Sequence, residues 1–377
     1  MKENKTTIQQ RLRSWWGLAP ARHVLLLVSG ALLAAYLLLR GSGGAMAAVS
    51  GSFVRPWHRW MSRLTAPLPF SLAEALIVLS ALGALAYLVW TVIALVRRGD
   101  RGRRVYRFLL TCGTAGLLLY TLFCYFWGVY YYTSDFEDQS GIRGGPVATA
   151  DLEAVTRYFS DLVNEYGALA ERNEAGQARP DLDRVFARSK DLYAAVEQAV
   201  PCLSGDPVPA KRFFLSRCMS YVNFSGFFFP FTAEANINVD CPPALIPSTI
   251  GHELAHQRGV AQEDEANFVS VLACLSDGDP AYCYSACLLA YIHLGNALYE
   301  ADYDAWLENY QRLSPGVRAD LAESNEYWAQ FKTPVSKVSD SVYTGFLHSY
   351  GQTLGLKTYG KCVDLLVAFY MDQTGQP

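Results

Sequence analysis

Three long apolar runs, at about residues 23–39, 71–96 and 106–130, constrain this chain more than any other feature. Each is close to the twenty or so residues that a helix needs to cross the hydrocarbon core of a bilayer. In that solvent no backbone N–H or C=O can be left to water, so a stretch of this kind becomes a helix that pairs its own polar groups. No comparable run follows. The 51% hydrophobic content of the 377 residues is therefore concentrated in a membrane domain, residues 1–132, and the rest reads as water-facing.

Lys2, Lys5, Arg11, Arg13 and Arg22 precede the first run, which is longer than the core of a signal peptide and reads as a retained helix. Lys and Arg in short flanking segments resist translocation. The densest basic cluster, Arg97, Arg98, Arg101, Arg103, Arg104 and Arg107, separates the second and third runs, and it belongs in the cytoplasm with the basic N-terminus. Arg55, Arg59 and Arg63, between the first two runs, weaken this contrast without reversing it. Three crossings then put residues 133–377 outside the cytoplasm. Charge divides the same way: of 32 basic and 35 acidic residues the first 107 positions hold 15 and 3, leaving 17 and 32. So acidic a remainder excludes a nucleic-acid partner, which would need cations for its phosphates.

Cys112 and Cys124 fall within the third run, and seven more cysteines follow it with no Cys-x-x-Cys pair, which argues against a thiolate zinc knuckle. If the domain is extracytoplasmic, an odd number leaves at least one thiol unpaired.

Residues 133–150 carry Gly141, Gly144, Gly145 and Pro146 and read as a linker to a folded domain, residues 151–377. The spacing of Leu152, Val155, Phe159, Leu162, Val163 and Tyr166 predicts a helix from Asp151 to about Arg172, and a second fits Leu182 to Val200. Phe213 to Val239 is aromatic and β-rich, which predicts two or three short strands separated by Gly226 and Pro230. Pro242, Pro243 and Pro247 end the extended region, and Ser248 is a candidate cap for the next helix. Segments around 283–312, 316–331 and 337–374 also read as helical. The expected fold class is mainly α with a small β-sheet, after three transmembrane helices.

The chemistry is concentrated in His252-Glu253-Leu254-Ala255-His256. Residues four apart share a helix face, so His252 and His256 can present two imidazole nitrogens to one metal ion, with Glu253 about 100° round the helix, beside the ion. Such a site suits zinc: the metal acidifies a water and the glutamate takes its proton. Ile250 and Leu254 supply an apolar face, and Gly259 is placed for a left-handed turn that doubles the chain back. A catalytic zinc commonly takes three protein ligands. If residues 263–275 are helical, Glu263, Asn267 and Ser270 form a polar stripe opposite Phe268, Val271, Leu272 and Leu275. Glu263 is then the favoured third ligand, Glu265 the alternative, and Asn267 a group that orients a histidine through a hydrogen bond. His293, Tyr282, Tyr284 and Tyr291 are downstream candidates for stabilising an oxyanion.

The run from His252 to Gly259, with Glu263-Asp264-Glu265-Ala266-Asn267-Phe268, resembles the zincin metallopeptidases, in particular the branch whose third ligand comes from a Glu-x-x-Ala-Asp or Glu-x-x-Ala-Asn helix. Only six residues separate His256 from Glu263, a spacing closer to the metzincin pattern, although Gln262 stands where that pattern has its last histidine. Over nearly its whole length the chain also resembles a bacterial membrane family known as domain of unknown function 3810. The zincin resemblance implies a zincin-like α+β domain and an endopeptidase that uses Zn2+. It also implies an edge strand before the metal helix, here within Phe227 to Val239, that pairs with an extended peptide or protein substrate. The alternative, from another class, is a zinc-stabilised membrane scaffold or sensor that binds peptides or cell-wall material without cutting them. The intact Glu253 argues against it.

Overall fold

The computed structural model describes residues 15–97, 99–350 and 360–374. Lys2, Lys5, Arg11, Arg13 and Arg98, used above for topology, are outside the described residues, as is part of the helical segment expected at 337–374. The described residues are 74% helical, with one three-stranded sheet among them.

The helices of the first part of the chain that bear on the site are α1 (Pro20–Leu39), α2 (Arg55–Thr65), α3 (Leu72–Arg97) and α4 (Arg101–Phe126). Of these, α1, α3 and α4 are long and apolar enough to cross a membrane. They coincide with the three apolar runs, and residues such as Leu38, Leu79, Val96 and Leu109 point outward, as lipid-facing side chains do. Polar groups join α1 to α4: the Thr121 hydroxyl donates to the Ser29 carbonyl (3.3 Å) and the Tyr125 hydroxyl to that of Leu32 (3.0 Å).

By its contacts the chain divides into two compact units, and the division differs from the sequence boundary near residue 132. Residues up to Val54 with Ala75–Thr133 form one unit; Arg55–Glu74 joins Ser134–Pro377 in the other. Thus α2 belongs to the second unit, where His58, Met61, Ser62 and Thr65 are its buried face. The expected linker at 133–150 is also tied down. Phe136 is buried against Phe268, and Asp135 and Glu137 reach Lys361 at 2.9 and 2.8 Å.

The second unit continues with α5 (Thr149–Leu169), the strands β1 (Lys211–Phe213), β2 (Gly226–Phe229) and β3 (Glu234–Asn238), and the helices α6 (Ile246–Gln257), α7 (Glu263–Asp277), α8 (Pro280–Ala301), α9 (Pro334–Ser349) and α10 (Gly360–Tyr370). The second helix expected, Leu182 to Val200, is broken. It ends at Arg188, and beyond it Ser189 accepts the Ala210 N–H at 3.0 Å. The sheet order is β1-β3-β2, with β1 parallel and β2 antiparallel to β3. All five residues of β3 are buried. Its alternation sends Ala235 and Ile237 into one core with Ile250 and Leu254 of α6, and leaves Glu234, Asn236 and Asn238 for the opposite side. Ser220 and Tyr221, expected near strand, lie in a short helix, Ser216–Tyr221. No disulfide joins cysteines among the described residues.

Candidate metal centre

Helix α6 begins at Ile246 with Pro at its second position, ahead of Ser248, whose hydroxyl bonds back to the Leu245 carbonyl instead of capping the helix. Its apolar stripe, Ile250 and Leu254, is fully buried, so the stripe carrying His252 and His256 faces the neighbouring helix. The chain reverses at Gly259, whose φ of +92° is open to glycine without strain. Gln262 then leads into α7, which buries Phe268, Val271 and Leu272 and presents Glu263 and Asn267 to the histidines.

Glu263 Oε2 lies 3.1 Å from His252 Nε2 and 3.6 Å from His256 Nε2. The donor atoms of these three residues are all within 4.8 Å of one another. A tetrahedral ion with ligands at about 2.0–2.1 Å has donor-to-donor edges of roughly 3.3 Å, which the two measured distances bracket. The outer nitrogens are already engaged: His252 Nδ1 with Asn267 Oδ1 at 2.8 Å, His256 Nδ1 with the Val260 carbonyl at 2.7 Å. A carbonyl only accepts, so His256 Nδ1 carries a proton and, in the neutral ring, the lone pair sits on Nε2. That lone pair faces a carboxylate oxygen in a largely buried place, an arrangement that calls for positive charge between them. Either protons or one metal ion can supply it.

The acid–base shifts follow from the same geometry. Burial alone would lower the His256 imidazole, yet the Glu263 carboxylate beside it raises it to about 9. Burial likewise works to raise Glu263, but His256 and His252 hold it well below the usual carboxylate range. Glu253 moves the other way: burial pushes it up, and the two histidines only partly oppose this.

Glu253 sits on the side of α6 that meets β2. The Phe228 N–H lies close enough to its carboxylate to favour the ionised form, and its Oε2 is buried without a hydrogen-bond partner. An orphaned buried carboxylate oxygen beside two imidazoles is costly to a fold and is of use to chemistry. Space for it depends on Gly226, where a Cβ would fall 2.7 Å from Glu253 Oε1.

Of the two glutamates considered as third ligand, only Glu263 is brought to the histidines. Glu265, one residue beyond Asp264 and fully buried, turns to Lys361 (2.7 Å) and the Phe136 N–H (3.0 Å). Of the downstream tyrosines, Tyr282 is committed to the Val185 carbonyl and Tyr284 to Asp320 and Arg172, while the Tyr291 hydroxyl is buried without a hydrogen-bond partner. His293 lies near enough to His252 to feel its charge, and burial followed by that charge lowers its imidazole to about 4. Sequence reasoning missed Tyr343 on α9, whose hydroxyl donates to Glu263 Oε1 at 2.6 Å. It fixes the second carboxylate oxygen so that Oε2 faces the histidines. Eighty residues separate the two, and no local pattern marks the pairing.

The model of one family, described as Protein of unknown function (DUF3810), matches residues 50–367, a span that includes α2, the sheet, both helices of the centre, Tyr343 and Lys361. No curated protein and no solved structure matches the chain.

Proposed function

The chain belongs to the DUF3810 family, and we propose that it is a membrane-anchored zinc-dependent metallopeptidase, zincin-like in its centre, that hydrolyses peptide bonds of peptides or proteins outside the cytoplasm. The observation that carries this reading is the convergence of His252, His256 and Glu263 donor atoms beside an unpartnered, buried Glu253 oxygen. A purely structural site has no use for that fourth group.

Bound there by His252, His256 and Glu263, zinc would supply the positive charge that acidifies water and polarises a peptide carbonyl. Glu253 would take the proton of the attacking water on its free oxygen and deliver it to the amine nitrogen as the C–N bond breaks. Its raised affinity for protons, a consequence of burial, suits both halves of that task. Asn267 and Val260 hold the imidazoles by their outer nitrogens, and Tyr343 holds Glu263. Strand β2 is the outer strand of its sheet next to β3 and runs against Glu253 at Gly226, so an extended substrate would lie along it through backbone hydrogen bonds. The three apolar helices support a bilayer as partner. A bacterial cell membrane, with the N-terminus in the cytoplasm and the metal centre outside, completes the proposal.

Elemental analysis of the purified full-length protein tests it. About one zinc per chain is expected, lost in His256→Ala and retained in Glu253→Gln, with peptide-library cleavage abolished in both. Zinc bound with no Glu253-dependent cleavage would favour the scaffold reading.

A further inference from the structure

Several buried polar groups of the sheet have no part in this chemistry, and they converge on one place, the first turn of α3. Glu234, 1% exposed, accepts the N–H groups of Leu72 (3.0 Å) and Ala73 (2.7 Å). The Ser71 hydroxyl donates to Asn236 Oδ1 at 2.6 Å. Lys211 donates to the carbonyls of Ala66 (3.1 Å) and Leu68. In return, Glu74 accepts the N–H groups of Phe214 (2.8 Å) and Leu215 (2.7 Å). A helix start leaves four N–H groups unpaired and favours nearby negative charge, so Glu234 answers both needs. The start of an apolar, 26-residue helix is thereby latched to β1 and β3.

This latch bounds how far Glu253 can be from the first turn of α3. The Glu253 carboxylate lies beside the Phe228 N–H, Phe228 stands opposite Ala235, and the next residue, Glu234, holds Leu72 and Ala73. Hydrogen bonds of about 3 Å, strands about 5 Å apart, a rise of about 3.4 Å per residue and a glutamate's reach add to at most roughly 20 Å. The bound holds whatever direction the path takes.

The surface around that first turn is unlike that of a water-facing domain. Phe214 is 90% exposed and Phe70 52%, while Trp60 and Leu64 project from the outer face of α2 beside Arg59 and Arg63. Exposed aromatics interleaved with arginine belong where hydrocarbon gives way to anionic head groups. The same placement accounts for the basic loop that weakened the topological contrast in the sequence.

We propose that this rim seats in the head-group layer where α3 begins, and that the substrate is a juxtamembrane segment of a membrane-anchored polypeptide; the substrate half of this rests on the peptidase reading above. An extended chain spans about 3.4 Å per residue, so about six residues beyond the hydrocarbon boundary suffice to bring a bond to the centre. The step is simple hydrolysis: water's oxygen joins the carbonyl carbon, the C–N bond breaks, and the products are a carboxylate and an amine. Anchoring of both molecules in one bilayer raises the effective substrate concentration without any added contact.

The test uses zinc-loaded full-length protein in proteoliposomes with single-span reporters. A randomised segment is placed either directly after the span or beyond a spacer of about forty Gly and Ser residues, and the same library is supplied as free peptide. Product mass spectrometry is expected to show the near segment cut about tenfold faster than the other two. Equal rates, or faster cutting of free peptide, would overturn the inference and leave the peptidase reading standing. No cutting in any arm would overturn the peptidase reading and the substrate assignment with it. The seating is read separately, from spin labels at Trp60→Cys, Phe214→Cys and, as a control, Glu300→Cys, in a background without the exposed Cys112 and Cys218. Labels at 60 and 214 should be relaxed by lipid-soluble oxygen and shielded from a water-soluble nickel chelate. If they behave like the label at 300, the rim is not in the membrane.

Discussion

Replacing Gly226 with alanine tests the centre through a residue that binds nothing. A Cβ at this position falls 2.7 Å from Glu253 Oε1, 2.8 Å from Cγ and 3.0 Å from Cδ. Carbon contacts become comfortable at about 3.5 Å, so the Glu253 side chain must retreat by roughly 0.5–1 Å. The obstacle is the end of a side chain, not backbone, so the strand can keep its place. Overpacking costs about 1–3 kcal/mol, offset by about 0.4–1 kcal/mol from the lower entropy of the unfolded alanine chain. The net expected loss is about 1–2 kcal/mol of stability, which an otherwise sound domain survives. The proposed zinc ligands are untouched, so any metal content should match that of the parent. A displacement near 1 Å in a catalytic group costs about a hundredfold in rate, equivalent to about 2.7 kcal/mol of barrier. We therefore expect kcat to fall between ten- and a hundredfold with KM little changed, measured alongside zinc content and thermal unfolding. A kcat within about twofold of the parent, with zinc bound, would refute the assignment of Glu253 as the positioned base. Loss of zinc together with activity would show instead that β2 and the ligand helices move as one.

Tyr343→Phe removes the hydrogen bond to Glu263 Oε1 and should weaken zinc binding by about tenfold, measured by competition with a chromogenic chelator; unchanged affinity would leave Tyr343 without a role at the centre. Lys361→Met deprives Asp135, Glu137 and the buried Glu265 of their shared cation, and should cost about 3 kcal/mol in urea unfolding. Adding Glu265→Gln should restore part of that loss, since the unpaired buried charge is then gone. Removing the metal with a chelator should lower the unfolding temperature by about 10 °C, from about 4 kcal/mol of linkage at saturating zinc and 2–4 °C per kcal/mol. No shift would mean that the ion does not bind the folded state.

The parts legible in the sequence were those written in local periodicity. The three apolar helices, the helix carrying His252 and His256, the left-handed Gly259 and the Glu263–Asn267 stripe all depend on residues within a few turns of one another. Glu263 and Glu265 differ by two positions, about 200° on a helix, and that angle alone separates the residue facing His252 from the residue facing Lys361. Arg55 to Glu74 was read only for its charge. Its amphipathic pattern gave no sign that Glu234, more than 150 residues later, would accept two of its N–H groups. The supposed linker failed for a related reason. Glycine and proline describe local turns, while Asp135 and Glu137 are fixed by a lysine more than 200 residues away. The Leu182 to Val200 helix had the right periodicity but yields at Ser189 to a bond with Ala210.

The placement of Arg55–Glu74 within the larger unit also orders events during synthesis. These residues supply a layer against the sheet and the helix start that Glu234 and Asn236 require, yet they are made before the sheet and are flanked by two apolar helices. Before the hairpin between those helices has been threaded through the membrane, β3 would bury a carboxylate and an amide with nothing to receive them. Such a domain would mature only after its anchor is correctly inserted, so a copy that misses the membrane is left unfinished and exposed to quality control. In a hydrolase, that dependence would act as a safeguard in time, keeping the centre unformed until the chain has reached its place of work.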